Sequence, residues 1–105
     1  MVKPSTEIIN EIKVFANKVI NNNINIQELY LFGSFALGTS DTNSDIDIAI
    51  LSNDFQGISF LDYDKLIRAL YESDKRIEPH TFKTDDAYLD PFFISEIKSK
   101  GIRIL

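Results

Sequence analysis

Two aspartates two residues apart, Asp45 and Asp47, sit in an alternating run, DIDIAIL, that reads as a strand. Side chains at i and i+2 of a strand share a face. Two carboxylates held that close repel each other and lose solvation, so they call for compensation. Divalent cations supply it, and hard Mg²⁺ favours carboxylate oxygens together with substrate phosphates. A carboxylate pair can bridge two metals, the arrangement that steadies attacking and leaving oxygens in phosphoryl or nucleotidyl transfer. A third carboxylate from a neighbouring strand would complete such a site. Glu78, in the run RIEPHTF, is the candidate, as a metal ligand and as general base for an incoming hydroxyl. Taken alone, the Asp45/Asp47 pattern fits a solvated sheet face equally well.

Twelve and eleven residues ahead of Asp45 stand Gly33 and Ser34. Glycine permits close backbone approach and unusual dihedrals at a strand end. Ser34 would open a short helix whose amides and hydroxyl suit a triphosphate. Two other motifs come close and fail. Gly33 to Ser40 has the glycine spacing of a P-loop, but Thr39 stands where its lysine must be. Asp41, Asn43 and Asp45 begin like a calcium loop, but Ile46 replaces its glycine and Ser52 its bidentate glutamate.

The elements that must position these residues follow from periodicity. Ser5 caps a helix carrying Ile8, Ile12, Phe15, Ala16 and Val19 as one apolar stripe, ended by the asparagine cluster at 21–23. Glu28 to Phe32 reads as a strand, Phe35 to Leu37 as a helical turn, and 38–44 as a polar loop. Asp45 to Leu51 is the second strand. Asp62 is expected to cap a helix over 63–73, with Leu66, Ile67, Leu70 and Tyr71 facing inward. Arg76 to Phe82 is the third strand, and Pro79 within it predicts a sheet edge or a bulge. Asp90-Pro91 opens a last helix that Gly101 stops, with a short terminal strand over 102–105. His80 shares the face of Glu78 and reads as structural. Tyr30, Phe32, Phe60, Phe82, Phe92 and Phe93 read as core or interface positions, and Tyr63 and Tyr71 as amphipathic helix positions. The order predicts an α+β (mixed α/β) fold, a small mixed sheet flanked by helices.

The 105 residues suit one domain, 1–105, with 44% hydrophobic and 26% charged residues. No cysteine is present, which excludes zinc-thiolate sites and disulfides, and a single histidine excludes poly-histidine metal sites. The net charge of −5 disfavours nucleic acid as a partner. No apolar run reaches a membrane span and MVKPSTE is not a signal peptide, so the expected location is cytoplasmic, with no membrane partner.

The Gly-Ser pair, ten intervening residues and Asp-x-Asp together resemble the minimal nucleotidyltransferases of the DNA polymerase β superfamily. The flanks LYLF before Gly33 and SDIDIAI around the acids fit as well. The resemblance implies a polymerase β-like nucleotidyltransferase domain that uses Mg²⁺, two ions in the usual arrangement, and ATP as substrate. Asp45, Asp47 and Glu78 would be the catalytic, metal-holding acids, and Gly33 and Ser34 would bind the nucleotide. Leu37 stands where many members carry arginine, so no phosphate contact is assigned there. Glutamate at 78 departs mildly from the usual aspartate. Such proteins are often encoded beside a helical HEPN-domain toxin, and the resemblance implies an antitoxin that transfers AMP to a tyrosine of that partner. Two alternatives stay open. One is a non-catalytic subunit that neutralises its partner by binding; the other is nucleotidyl transfer to a small molecule. An oligomer is compatible with either.

Overall fold

A computed structural model describes residues 4–105; the first three residues of the MVKPSTE start lie outside the described residues. Helix α1 spans Thr6–Asn21, and Ser5 caps it by accepting from the Ile8 amide at 3.3 Å. Strand β1 is Glu28–Phe32, the short α2 is Ser34–Leu37, and β2 is Ile46–Ser52. Helices α3 (Ser59–Asp64) and α4 (Ile67–Tyr71) lead to β3, Ile77–Lys83. Then come α5 (Thr84–Ala87), α6 (Phe93–Lys98, wound as a π-helical segment) and β4, Ile102–Arg103.

The sheet order is β3-β2-β1-β4. β1 runs antiparallel to β2 and β4, while β2 and β3 are parallel. A parallel pair needs a crossover, and α3 and α4 lie within it. The expectation of a small mixed sheet flanked by helices holds, and Pro79 does sit in an edge strand. Its missing amide hydrogen costs the ladder nothing there.

Both faces of the sheet are covered. Leu29, Leu31, Ile46, Ile48 and Ile50 pack under α1, whose stripe of Ile8, Ile12, Phe15, Ala16 and Val19 is buried as the spacing predicts. On the other face Tyr30, Phe32, Ala49 and Leu51 pack against Ala87, Phe93 and Ile97. The alternation along β2 puts Asp47 on this second face, at its Phe32 end. At the opposite end Glu28 accepts from the Tyr30 hydroxyl at 2.6 Å and from the Tyr88 hydroxyl, and pairs with Arg103 at 3.6 Å. Burial works against the Glu28 charge, but these donors prevail and hold its pKa below the ordinary value. Among the described residues no helix is long and apolar enough to cross a membrane.

Several expectations need correction. The helix predicted over 63–73 is two short helices, broken at Lys65-Leu66. Asp62 does not cap it. Its carboxylate, only 1% exposed, folds back to accept from the amides of Gln56, Gly57 and Ile58 at 2.8, 2.9 and 3.2 Å. The break turns Ile67 and Tyr71 outward and buries Ala69 instead. Of the aromatics read as core or interface positions, Phe60 and Phe92 are exposed, which leaves the interface reading for these two. Asp45 lies one residue ahead of its strand, and the terminal strand is only two residues long. Asp90 caps the last helix as predicted, accepting from the Phe92 amide at 2.9 Å.

Candidate active site

At the end of β1 the chain turns at Gly33, with φ 75° and ψ −154°. That region is essentially reserved for glycine. A second constraint falls on the same residue: a Cβ there would sit 2.5 Å from Asp47 Oδ2. Gly33 is thus required both for the turn and for room beside the carboxylate. Its carbonyl accepts from the Ala36 and Leu37 amides, both at 3.1 Å, which winds α2 and places half-buried Ser34 at its head. Gly38 ends the turn in the left-handed region, φ 77°.

The following loop is tied by Asp41, which accepts from the Asn43 amide at 2.8 Å, and by Ser44, which accepts from the Asp41 amide at 2.9 Å. It delivers Asp45 to the start of β2. There the Ile46 amide donates to the Arg76 carbonyl at 2.7 Å. Arg76 is itself clamped by Asp74, through Nε at 3.1 Å, a terminal guanidinium nitrogen at 2.8 Å and the backbone amide at 2.9 Å. This clamp sets the parallel register, which pairs Asp47 with Glu78 and Ala49 with His80.

Register and face together gather Asp47, Glu78 and His80, whose ligand atoms lie within 4.8 Å of one another. His80 Nε2 is 3.4 Å from Asp47 Oδ1, and its ring meets Phe32 edge-on at 5.0 Å between centroids. Asp45 lies outside that trio, yet its carboxyl is near enough to act on the Glu78 carboxyl. Glu78 is open to solvent at the strand edge, yet its pKa is pushed up. Partial desolvation is the largest cause, followed by the Asp45 carboxyl and the Asp47 charge, with His80 opposing. Among the described residues no lysine or arginine pairs with Asp45, Asp47 or Glu78. Three carboxyl groups with no cationic side chain among them suit a divalent cation: oxygen donors on a rigid frame, at the mouth of a glycine turn.

His80 is the residue that sequence reasoning set aside as structural. The signal was present, since Glu78 and His80 stand two apart on one strand face. Without the β2–β3 register nothing tied that face to Asp47.

Acids on two adjacent parallel strands, beside a glycine-serine turn in a small mixed sheet, define a nucleotidyltransferase of the polymerase β type. The family "Polymerase beta, Nucleotidyltransferase" matches residues 15–105, and the chain belongs to it; it is a minimal nucleotidyltransferase of the polymerase β superfamily. The chain is 49% identical over 47 residues to the protein adenylyltransferase MntA of Shewanella oneidensis. That stretch is 44% of this chain and 32% of the relative, so the match spans about a third of the relative's length. In fold, the chain resembles a crystal structure from Sulfolobus solfataricus assigned as a nucleotidyltransferase. The TM-score is 0.68 at 18% identity, covering 92% of this chain and 78% of the other.

Proposed function

We propose that residues 1–105 act as one catalytic domain that transfers AMP from ATP to a hydroxyl, in the presence of Mg²⁺. The acceptor we propose is a tyrosine of a HEPN-domain toxin, for which this protein would be the cytoplasmic antitoxin. One observation carries the catalytic part: the meeting of Asp47, Glu78 and His80 beside the Gly33 turn. The likeness to a protein adenylyltransferase supports AMP and a protein acceptor.

In this reading Asp45, Asp47 and Glu78 hold the metal, two ions where both sites fill. Bound Mg²⁺ would polarise the α-phosphate and offset charge on the departing pyrophosphate. The chain's own groups do the rest. Gly33, lacking a side chain, lets the triphosphate come up to Asp47, and Ser34 offers its hydroxyl and the amides of the α2 turn. Glu78, on the open edge strand directly beside Asp47, is placed to take the proton of the acceptor hydroxyl. The acceptor oxygen bonds to the α-phosphorus, the bond from that phosphorus to the bridging oxygen breaks, and pyrophosphate leaves with the electron pair.

The test is the intact mass of the protein encoded by the neighbouring gene, after incubation with this chain, ATP and Mg²⁺. Gain of one or more AMP units, lost with EDTA or with Asp47→Asn, is the expected result. An unchanged mass alongside a stable complex would instead favour neutralisation by binding.

A further inference from the structure

Asp47 divides the site into two approaches. Its Oδ2 faces the Gly33 turn, and its Oδ1 faces His80 on β3. If the triphosphate uses the Gly33 side, the acceptor must come from the β3 side. On that side lies a cavity of about 550 Å³, and His80 lines it. Four consecutive residues of β3, Pro79 to Phe82, form one wall, while Phe60 and Tyr63 of α3 form the other. Consecutive strand residues point to opposite faces of a sheet. A wall that takes in all four therefore lies along the strand edge itself.

That edge has some free backbone groups, though fewer than its length: the Ile77 amide already donates to the Asp74 carbonyl at 3.2 Å and Pro79 has no amide hydrogen. The Arg76 carbonyl is turned toward β2, where it accepts from Ile46. Alternation along a parallel ladder then turns the backbone of 78, 80 and 82 toward β2 and that of 77, 79, 81 and 83 outward. Pro79 falls on an outward position, where its missing amide hydrogen breaks no pairing. Beyond Tyr63 the groove continues into a second hollow of about 210 Å³, lined by Ile77, Leu70 and Tyr71. The two hollows accompany β3 from its first residue nearly to its last. Seven strand residues extend about 23 Å. A small molecule would fill one hollow; an extended polypeptide fills both.

The aromatic wall is exposed in a way folding does not require. Phe60 is 74% exposed and Tyr63 45% exposed, three residues apart and so on one side of α3. Their helix is held in place from behind by buried Asp62. We infer that the groove between α3 and the edge of β3 seats an extended polypeptide segment of the acceptor, gripped by Phe60 and Tyr63, with its hydroxyl side chain directed past His80 to Glu78. The inference rests on the nucleotidyl-transfer reading for the reaction, and on the groove alone for the docking.

The probe is a synthetic extended peptide, rich in valine and threonine, with a single central tyrosine. In ¹⁵N-labelled protein its addition is expected to shift the amide signals of Thr81, Phe82 and Tyr63, whereas ATP with Mg²⁺ shifts Gly33 and Ser34. The double variant Phe60→Ala, Tyr63→Ala is expected to raise the KM for the peptide by about tenfold or more and leave ATP affinity unchanged. Tyr63→Phe should retain peptide binding. Peptide-induced shifts on β3 with no AMP transferred would uphold the groove and sink the transfer reading. Transfer with an unchanged KM in the double variant, or peptide shifts confined to other surfaces or absent, would overturn the groove.

Discussion

Replacing Gly33 by alanine tests the strongest link between sequence and site, because two costs of different kind meet at one atom. The backbone there has φ 75° and ψ −154°, and a non-glycine residue in that region costs roughly 1–3 kcal/mol. For a domain of this size each kcal/mol lowers Tm by about 4–8 °C, so a fall of roughly 8–16 °C is expected for a cost of about 2 kcal/mol. The second cost is local. The new methyl would stand 2.5 Å from Asp47 Oδ2, and ordinary contact begins at 3.4 Å, so the carboxylate must retreat by about 0.9 Å. Asp47 is the free end of a side chain and can swing away without unfolding anything. Mg²⁺ tolerates little departure from its coordination geometry. Losing one ligand should weaken metal binding by at least about tenfold, or about 1.4 kcal/mol. Differential scanning fluorimetry and metal titration by calorimetry read the two costs separately. Gly57→Ala is the control: its φ is +81°, but its Cβ would meet Asp86 Oδ2 at 2.9 Å, not Asp47. It should lower Tm and leave metal affinity alone. Wild-type metal affinity in Gly33→Ala would refute the placement of Asp47 as a ligand.

Asp47→Asn should abolish transfer while the fold survives. In the metal-free protein, Glu78's raised pKa means stability present below its ordinary value near 4.5 and lost as pH rises through the raised value. Removing the Asp47 charge should flatten that loss, which denaturant melts across pH would show. Asp74→Asn should cost about 1 kcal/mol at neutral pH, a figure held down by solvent screening of partly exposed Arg76. The Arg76 hydrogen bond lowers the Asp74 pKa, against some desolvation, so this stability is present above the ordinary carboxylate range. The difference between variant and wild type should therefore shrink as pH falls and vanish in strong acid. Asp62→Ala should cost about 3 kcal/mol by orphaning three amides, with faster hydrogen exchange over Gln56 to Ile58 as its signature.

What could be read from the sequence was what depends on near neighbours. The apolar run from Glu28 to Phe32 ends at a glycine, and the structure starts and stops β1 at those residues. Asp90-Pro91 opens a helix because the capping oxygen and the fixed proline dihedral act within one turn. The helix over 63–73 failed for a nonlocal reason. Leu66, Ile67, Leu70 and Tyr71 do fit one helical face, but Asp62 is committed to the loop before α3, and the chain breaks at Lys65-Leu66 to reach β3. Face assignments were likewise local, so Asp47, Glu78 and His80 each had the right orientation on paper. Their meeting depends on the parallel register between strands 31 residues apart in numbering, and periodicity carries no information about register. A slip of one residue would place Ile77 or Pro79 beside Asp47 and turn Glu78 to the opposite face of the sheet. The contacts that forbid the slip are the Ile46–Arg76 backbone bond and the Asp74 clamp on Arg76. Neither touches the site. Both run through Arg76, which the sequence places at the start of the third strand but ties to no partner, and this makes Asp74 and Arg76 positioning residues for the acids at 47 and 78.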